Sequence, residues 1–295
     1  MEKGMNFFLN RYKQLGEKVS DIKLRPALRV NTLKTDAETL KKRLNQFDVT
    51  LEKISYANDG YFYSAKFSLG AITEYLRGYF YLQEAAAQLP VQVLEPKPGE
   101  FVLDCCAAPG GKTTQVAQLM KNKGIVVALD KKKHRIVSVK TNLERCGVHN
   151  CAAYIMDANK VGSLNLQFDK ILLDVPCSGN FVTDKSWFRK RHLAGIKRAA
   201  EIQRNLIEKS LAVLKKGGIL VYSTCSLEPE ENELNMQWML KHFKVKIEKI
   251  DLPVGSNGLT TVFNKMLDKS IANCRRFWPN KTGTEGFFIA RIKKL

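Results

Sequence analysis

Five apolar runs in the sequence each end in a polar side chain that could take part in chemistry. These side chains are Asp104, Asp130, Asp157, Asp174 and Cys225. Stretches with helical periodicity follow several of the runs, which predicts alternating strands and helices and therefore a parallel sheet. Ligands of open parallel sheets bind outside the carboxyl ends of the strands. The five side chains are therefore predicted to meet in one crevice.

The first run belongs to residues 101–114, FVLDCCAAPGGKTT, which predict a buried strand, a glycine turn and the start of a helix. A nucleotide-phosphate loop requires GxxxxGK[ST], but Cys106 stands at the place of the first glycine. The dinucleotide pattern GxGxxG is also missing from this turn. Asp130 nevertheless follows at about the spacing at which such folds bind a ribose. These features favour a nucleoside-like cofactor without a long phosphate chain, and S-adenosylmethionine fits.

The N-terminal part has a different organisation. Residues 1–20 are predicted to form an amphipathic helix, and residues 27–33 a strand. Thr35 and Glu38 form a predicted capping box before a helix, and two short strands follow it. A linking helix is predicted from residue 82 to residue 94. The expected organisation is a small α/β domain over residues 1–80, similar to half of an RNA-recognition module, and a larger domain over residues 81–295.

The composition favours a polyanionic partner. The 295 residues include 48 Lys and Arg against 29 Asp and Glu, a net charge of +19. Such an excess favours nucleic acid binding over an ordinary basic surface. The seven cysteines form no CxxC pair with zinc spacing, and no segment has the pattern of a signal peptide or a membrane span. We therefore expect a cytoplasmic, monomeric protein with reduced thiols, without a metal and without membrane contact.

Three motifs together carry a specific resemblance: CCAAPGGKTT at 105–114, LLDVPCSGN at 172–180 and YSTCSLEPEENE at 222–233. The sequence closely resembles the RNA (cytosine-5) methyltransferases, which comprise bacterial rRNA enzymes and archaeal and eukaryotic tRNA enzymes. Its short length is most similar to that of the compact archaeal tRNA enzymes. The resemblance implies an α/β fold, with a Rossmann-like class I S-adenosylmethionine-dependent methyltransferase domain after a small N-terminal α/β RNA-recognition-like domain.

Methylation of carbon 5 of a pyrimidine requires a thiolate that adds to carbon 6, because carbon 5 is otherwise not nucleophilic. It also requires a group at ring nitrogen 3 and a group that assists elimination. Chemistry alone does not decide between Cys177 of the Pro-Cys pair and Cys225 of the Thr-Cys pair. The resemblance implies that Cys225 is the nucleophile, that Cys177 assists product release and that Asp174 holds the base. We also expect Lys112 near the active centre.

The resemblance also implies the cofactor site. A loop is expected to surround the methionine and ribose portions of the cofactor, and it consists of Cys106, Ala107, Ala108, Pro109, Gly110, Gly111 and Lys112. Asp130 is expected to bind the ribose hydroxyls and Asp157 the adenine amino group. Arg135 matches an arginine on the cofactor side of the family, and Asp174 is expected to face the methyl donor.

Contact with RNA is expected from two groups of basic residues. The first group is Arg25, Arg29 and Lys34, and the second is Lys185, Arg189, Lys190 and Arg191. The expected substrate is tRNA, with rRNA as the alternative. A non-catalytic RNA-binding or assembly factor is the alternative from another class, and the presence of Cys225, Asp174 and the glycine loop argues against it.

Overall fold

The computed structural model describes residues 2–20 and 22–295. Its N-terminal part contains an antiparallel sheet in the order β2-β3-β1-β4. The strands are β1 (Ala27–Val30), β2 (Thr50–Lys53), β3 (Gly60–Ser64) and β4 (Phe80–Leu82). The helices here are α1 (Met5–Gln14), α2 (Ala37–Asn45) and the short α3 (Thr73–Leu76). Because β4 reaches Leu82, the fourth strand of this sheet crosses the predicted boundary after residue 80.

Two local predictions in this part are wrong. Helix α2 is capped by Asp36, whose carboxylate accepts the backbone N–H of Thr39 at 2.8 Å, and not by Thr35. The predicted linking helix over residues 82–94 is shorter, because Phe80–Leu82 pairs with β1 instead. A 3-10 turn (Ala86–Gln88) follows and leads into α4 (Leu89–Leu94). Strand pairing to Val30 and its neighbours overrides the helical propensity of this run.

The larger sheet follows the order β11-β14-β15-β9-β8-β5-β6-β7, and β10 pairs with β15. Five of its strands are parallel: β5 (Phe101–Asp104), β6 (Ile125–Asp130), β7 (Cys151–Ile155), β8 (Phe168–Asp174) and β9 (Leu214–Thr224). The antiparallel strands are β10 (Val245–Glu248), β11 (Ser256–Asn257), β14 (Arg275–Phe277) and β15 (Phe287–Lys294). A separate hairpin joins β12 (Thr261–Val262) to β13 (Lys265–Met266).

Helices follow the parallel strands, as the sequence predicts. They are α5 (Gly111–Leu119), α6 (Lys133–Cys146), the short α7 (Trp187–Lys190), α8 (Leu193–Val213) and α9 (Glu233–His242). The short α10 (Pro279–Thr282) follows the antiparallel strand β14 instead. The central parallel strands β5, β6, β8 and β9 carry buried apolar runs, as strands covered on both faces do, whereas the edge strand β7 is partly exposed. The fold class is therefore the predicted one: an α/β methyltransferase-type sheet preceded by a small α/β sheet.

The strand order reverses between β5 and β8. The chain proceeds from β5 to β6 and β7 on one side, and β8 and β9 lie on the other side. A crevice opens at such a switch point, at the carboxyl ends of the two central strands. This edge is where the residues predicted for chemistry lie.

Candidate active site

Two cysteines and a Lys–Asp pair lie together at the carboxyl edge of the large sheet. Cys177 comes three residues after the end of β8, and Cys225 directly follows β9. Their Sγ atoms are 3.1 Å apart. Asp174, the last residue of β8, accepts hydrogen bonds from Lys112 Nζ at 2.7 Å and from Ser223 Oγ at 2.6 Å. The four residues predicted as catalytic thus form one cluster.

The surroundings of the two thiols shift their pKa values in opposite directions. The hydrogen bond from Cys177 lowers the pKa of Cys225, against the effect of burial, and nearby Lys112 lowers it further. The same hydrogen bond and burial raise the pKa of Cys177 well above its ordinary value. These effects favour ionisation of Cys225 over that of Cys177, and Cys177 would donate the hydrogen bond to the ionised Cys225. A thiolate is the form in which cysteine acts as a nucleophile.

Lys112 is the second residue of α5 and points back towards the ends of β8 and β9. Burial alone would lower its pKa, but the adjacent Asp174 carboxylate, together with the charges of Glu285 and Cys225, offsets this effect and raises the pKa. Its ammonium group lies 5.6 Å from the ring centroid of Phe287. A permanently charged lysine beside a carboxylate and a thiol can stabilise negative charge that develops between them.

The glycine loop packs against helix α6 and Tyr81. Gly110 has a φ of 106°, which favours glycine, and a Cβ there would lie 3.4 Å from Val139 Cα. A Cβ on Gly111 would lie 3.0 Å from the Tyr81 ring. Asn142 donates to the carbonyl of Pro109 at 2.9 Å and holds the loop on α6. The loop backbone is thus held at the mouth of the crevice.

A cavity of about 250 Å³ adjoins the thiols on the side of β6 and β7. Its lining includes Cys106, Ala108, Asp130, Arg135, Asp157, Asp174, Cys177 and Cys225, with apolar walls from Met156, Val175, Ile202 and Leu206. Arg135 donates to the Ala108 carbonyl at 2.8 Å and pairs with Asp130 at 3.1 Å. The Asp157 carboxylate accepts the backbone N–H of Asn159 at 2.9 Å. Carboxylates at two strand ends beside an apolar wall suit a nucleoside.

A neighbouring cavity of about 200 Å³ lies on the side of the small sheet, and Gln83, Asp104, Pro109, Gly111 and Lys112 are part of its lining. Asp104 is buried and accepts from Thr113 Oγ1 at 2.7 Å, while its Oδ1 has no partner among the described residues. Burial raises the pKa of Asp104 to about 6. Asp104 was predicted to end a strand, but no catalytic or binding role was predicted for it.

Two carboxylates near the cluster were missed by sequence reasoning. Glu84 accepts the backbone N–H of Ala86 at 2.6 Å and that of Glu285 at 3.2 Å. Burial raises the pKa of Glu84, and it raises the pKa of Glu285 well above its ordinary value. Glu285 lies close enough to feel the charges of Lys112 and Cys225. Glu84 and Glu285 are 201 positions apart in the sequence, and no local sequence pattern indicates that they lie close together.

The first group of predicted RNA contacts divides into three cases. The prediction for Arg29 is wrong, because only 1% of its surface is exposed and its guanidinium binds Gly111 O at 2.8 Å and Thr114 Oγ1 at 2.9 Å. Arg25 is exposed and pairs with Glu52. Lys34 is exposed, and its Nζ binds the carbonyls of Arg77 at 3.0 Å and Arg145 at 2.8 Å. RNA contact by Arg25 and Lys34 stays a prediction.

The second group lies beside the thiols. Lys190 and Arg191 line a cavity of about 270 Å³ that also contains Lys131, Cys177 and His192 in its wall. Arg189 and Lys185 are exposed nearby, and Lys190 pairs with Asp184 at 3.0 Å. This groove joins the thiols to the basic surface. Contact between these residues and RNA stays a prediction.

The acidic segment after Cys225 is engaged in protein contacts. Glu228 accepts from Tyr12 at 2.7 Å, Glu230 pairs with Arg11 at 2.7 Å, and Glu233 pairs with Arg276. Within residues 2–20 and 22–295, no three His, Cys, Asp or Glu side chains are grouped so that they could hold a metal ion. In the same part of the chain, none of the helices is both long and apolar enough to cross a membrane.

Comparisons with known proteins place this site in a family. The model of the family "16S rRNA methyltransferase RsmB/F" matches residues 91–293, and that of the "N-terminal domain of 16S rRNA methyltransferase RsmF" matches residues 2–85. The tRNA (cytosine(72)-C(5))-methyltransferase of Pyrococcus horikoshii is 41% identical over 78% of this chain and 57% of that protein. The tRNA (cytosine(49)-C(5))-methyltransferase of Pyrococcus abyssi is 35% identical over 92% of this chain and 88% of that protein.

Solved structures extend the similarity to the fold. A methyltransferase homologue from Pyrococcus horikoshii superposes with a TM-score of 0.88 at 40% identity, over 99% of this chain and 95% of that one. The chain spans between 34% and 58% of the length of several curated relatives that it matches. The similarity therefore covers both sheets, while many of the relatives carry additional sequence.

Proposed function

The chain belongs to the 16S rRNA methyltransferase RsmB/F family, and from this premise we propose that it methylates carbon 5 of a cytosine in RNA. S-adenosylmethionine is the proposed methyl donor, and tRNA is the proposed substrate. One observation carries the proposal: the Cys177 and Cys225 thiols lie 3.1 Å apart beside the Lys112–Asp174 pair, at the edge of a nucleoside-sized cavity. Two adjacent thiols with unequal pKa values suit addition to carbon 6 and its reversal.

The roles of the residues follow from the electrostatics. Cys225 adds as the thiolate to carbon 6, while Asp174 holds the base and the Lys112 ammonium balances the negative charge that develops at ring nitrogen 3 and the base carbonyl. Carbon 5 then becomes nucleophilic and accepts the methyl group. Transfer of the carbon 5 proton to a base then expels the Cys225 thiolate, and Cys177 assists this elimination. The raised pKa of Cys177 keeps it a thiol that can donate a hydrogen bond to the departing thiolate.

The cofactor fits the donor set of the 250 Å³ cavity that adjoins both thiols. S-adenosylmethionine supplies an electrophilic methyl group on a sulfonium sulfur. Asp130 would accept from the two ribose hydroxyls, because each carboxylate oxygen has a second acceptor site beside its present bond. Asp157 would accept from the adenine amino group, and the apolar side chains of Met156 and Leu206 would enclose the ring. The loop from Cys106 to Lys112 would border the methionine portion.

The RNA would approach along the basic groove. Lys190, Arg191 and Lys131 line a cavity that leads to Cys177, and phosphate contacts by such residues give affinity without sequence readout. A base must leave its stack to present carbon 6 to a thiolate. We include Lys185, Arg189, Arg25 and Lys34 in this proposed surface, with residues 1–80 as an RNA-binding domain.

The tRNA substrate is favoured by the two Pyrococcus relatives, which are named as tRNA enzymes. Their names give different positions, 72 and 49, so the similarity leaves the target nucleotide open. The family description favours rRNA as the second candidate.

The covalent intermediate provides the test. We would mix the Cys177→Ala variant with S-adenosylmethionine and either tRNA or rRNA, then separate the products on a denaturing gel. A covalent protein–RNA band is expected, because elimination is blocked after addition. The band should vanish in the Cys177→Ala/Cys225→Ala double variant.

The outcomes separate the alternatives. A band that persists without Cys225 would assign the nucleophile elsewhere. A band with rRNA alone would replace the tRNA substrate. Absence of a band with either RNA, while the wild type still binds both, would contradict the catalytic proposal.

A further inference from the structure

We propose that Glu231 is a positioning residue that sets the spacing and orientation of the two active-site thiols. Its consequence for turnover rests on the proposed methyltransferase function, whereas its effect on the thiols does not. Glu231 touches neither sulfur. It binds the residues that directly follow both cysteines, Ser178 after Cys177 and Ser226 after Cys225.

One carboxylate joins the two loops. Glu231 Oε1 accepts from the hydroxyls of Ser178 and of Ser226, the latter at 2.6 Å, and Oε2 accepts the backbone N–H of Ser178 at 3.0 Å. The two hydroxyl oxygens are themselves 3.1 Å apart. The loop after β8 and the loop after β9 therefore meet at Oε1, and a shift of this carboxylate would move both.

Helix α8 completes the arrangement. Gln203 Nε2 donates to Glu231 Oε2 at 2.7 Å and to the carbonyl of Pro176 at 3.0 Å. Gln203 Oε1 in turn accepts from Tyr222 OH at 3.0 Å and from Asn235 at 2.9 Å. The Cys177 loop is thus held from its preceding residue by Gln203 and from its following residue by Glu231.

A carboxylate is the group that this position requires. Glu231 is fully buried, and burial raises its pKa. The hydroxyl, peptide and amide groups around it act as donors, and only an acceptor-only side chain can satisfy all of them. A glutamine would turn an NH2 group towards some of these donors and would leave at least one of them unpaired.

The arrangement matters because the two thiols act on the same ring in sequence. Cys225 must reach carbon 6, while Cys177 must stay within hydrogen-bond distance of the departing sulfur. Misplacement of a reacting group by about 1 Å can lower a rate by about 100-fold. Because Glu231 holds both loops, it affects both the addition of Cys225 to carbon 6 and the later release of Cys225 that Cys177 assists.

The first test measures the thiols without any RNA. Diamide oxidises two neighbouring thiols to a disulfide and is itself reduced to the hydrazine. We would follow Cys177–Cys225 disulfide formation by mass spectrometry in the wild type, in Glu231→Gln and in Glu230→Gln. Glu230 is the matched control, because it lies next to Glu231 but pairs with Arg11. Alkylation by N-ethylmaleimide reports the reactivity of each thiol separately.

We expect disulfide formation to slow by about tenfold in Glu231→Gln, relative to single-thiol alkylation, because the pair is no longer held at contact distance. Glu230→Gln should form the disulfide at the wild-type rate. A wild-type rate in a folded Glu231→Gln protein would overturn the proposal. So would an equal slowing of disulfide formation and alkylation, which would indicate a general structural loss.

The second test separates the two loops during turnover, and it holds even where Glu231→Gln fails to fold. Ser178→Ala loosens only the Cys177 side and should accumulate the covalent RNA adduct, because release is impaired. Ser226→Ala loosens only the Cys225 side and should slow adduct formation without accumulating it. The KM for S-adenosylmethionine should stay unchanged in both. Identical behaviour of the two variants would contradict the assigned positions, whereas absence of the adduct in Cys177→Ala would instead refute the proposed function.

Discussion

Arg29 stabilises the start of helix α5 instead of binding RNA, and the substitution Arg29→Met tests this directly. The side chain crosses from β1 of the small sheet to the glycine loop of the large one. Its guanidinium binds Gly111 O and Thr114 Oγ1, and it also contacts Gln83 and Gln118. Burial lowers its pKa to about 10, so the group stays charged at neutral pH.

The size of the effect follows from these contacts. Four acceptors lose a hydrogen bond of 3.2 Å or less in Arg29→Met: the Gly111 carbonyl and the side chains of Gln83, Thr114 and Gln118. Gln115 loses a longer one of 3.4 Å. At about 1 kcal/mol for each net hydrogen bond, the free energy of unfolding should fall by about 4 kcal/mol. Because two of the acceptors lie in the first turn of α5, the affinity for S-adenosylmethionine should fall as well.

The control is Arg25→Met, since Arg25 was predicted to have the same role but lies on the surface. Its pair with Glu52 is exposed and is expected to contribute little to stability. Urea unfolding gives both stabilities, and filter binding gives the affinities for RNA. A folded Arg29→Met protein with near wild-type stability and weakened RNA binding would refute the structural role and restore the original prediction.

Two further predictions concern pH and salt. Burial raises the pKa of Glu228 from 4.5 to about 7, so the stability that its protonated form contributes is complete below pH 4.5 and is lost as the pH rises through 7. Relative to Glu228→Gln, the wild type should therefore lose about 3 kcal/mol of unfolding free energy between pH 4.5 and 7.5. Urea titrations at a series of pH values measure this difference. If the free energy of unfolding had the same pH dependence in both proteins, the prediction would be wrong. Arg189→Gln should weaken RNA binding and reduce the slope of log affinity against log salt concentration by about 1. The control Lys216→Gln, at the amino end of the sheet, should change neither the affinity nor the slope. Equal slopes for Arg189→Gln and the wild type would exclude a phosphate contact by Arg189.

Much of the active-site edge could be predicted because it follows from strand periodicity. The apolar runs that end at Asp104, Asp130 and Asp174 are strands with those bounds, and Cys225 directly follows β9. Asp157 lies two residues past the end of β7, which is within the uncertainty of strand ends. Parallel strands align their carboxyl ends whatever the details of packing, so convergence at one edge needed only the local pattern.

The failures arose where burial depends on distant partners. An arginine in a short N-terminal strand has the sequence character of a surface cation, and only the docking of the small sheet on α5 buries Arg29. The run after residue 80 has helical propensity, but pairing with β1 made its first residues a strand. Neither effect has a local sequence signal.

The sequence by itself determined the order of strands and helices, the residues at the strand ends and the family, because periodicity and contiguous motifs are local properties. The tertiary structure alone decided that the two thiols meet at 3.1 Å and that Cys225 is the more easily ionised one. It also decided that Glu231 links both cysteine loops. These properties depend on distances between residues up to 53 positions apart, and only the packing of the chain sets such distances.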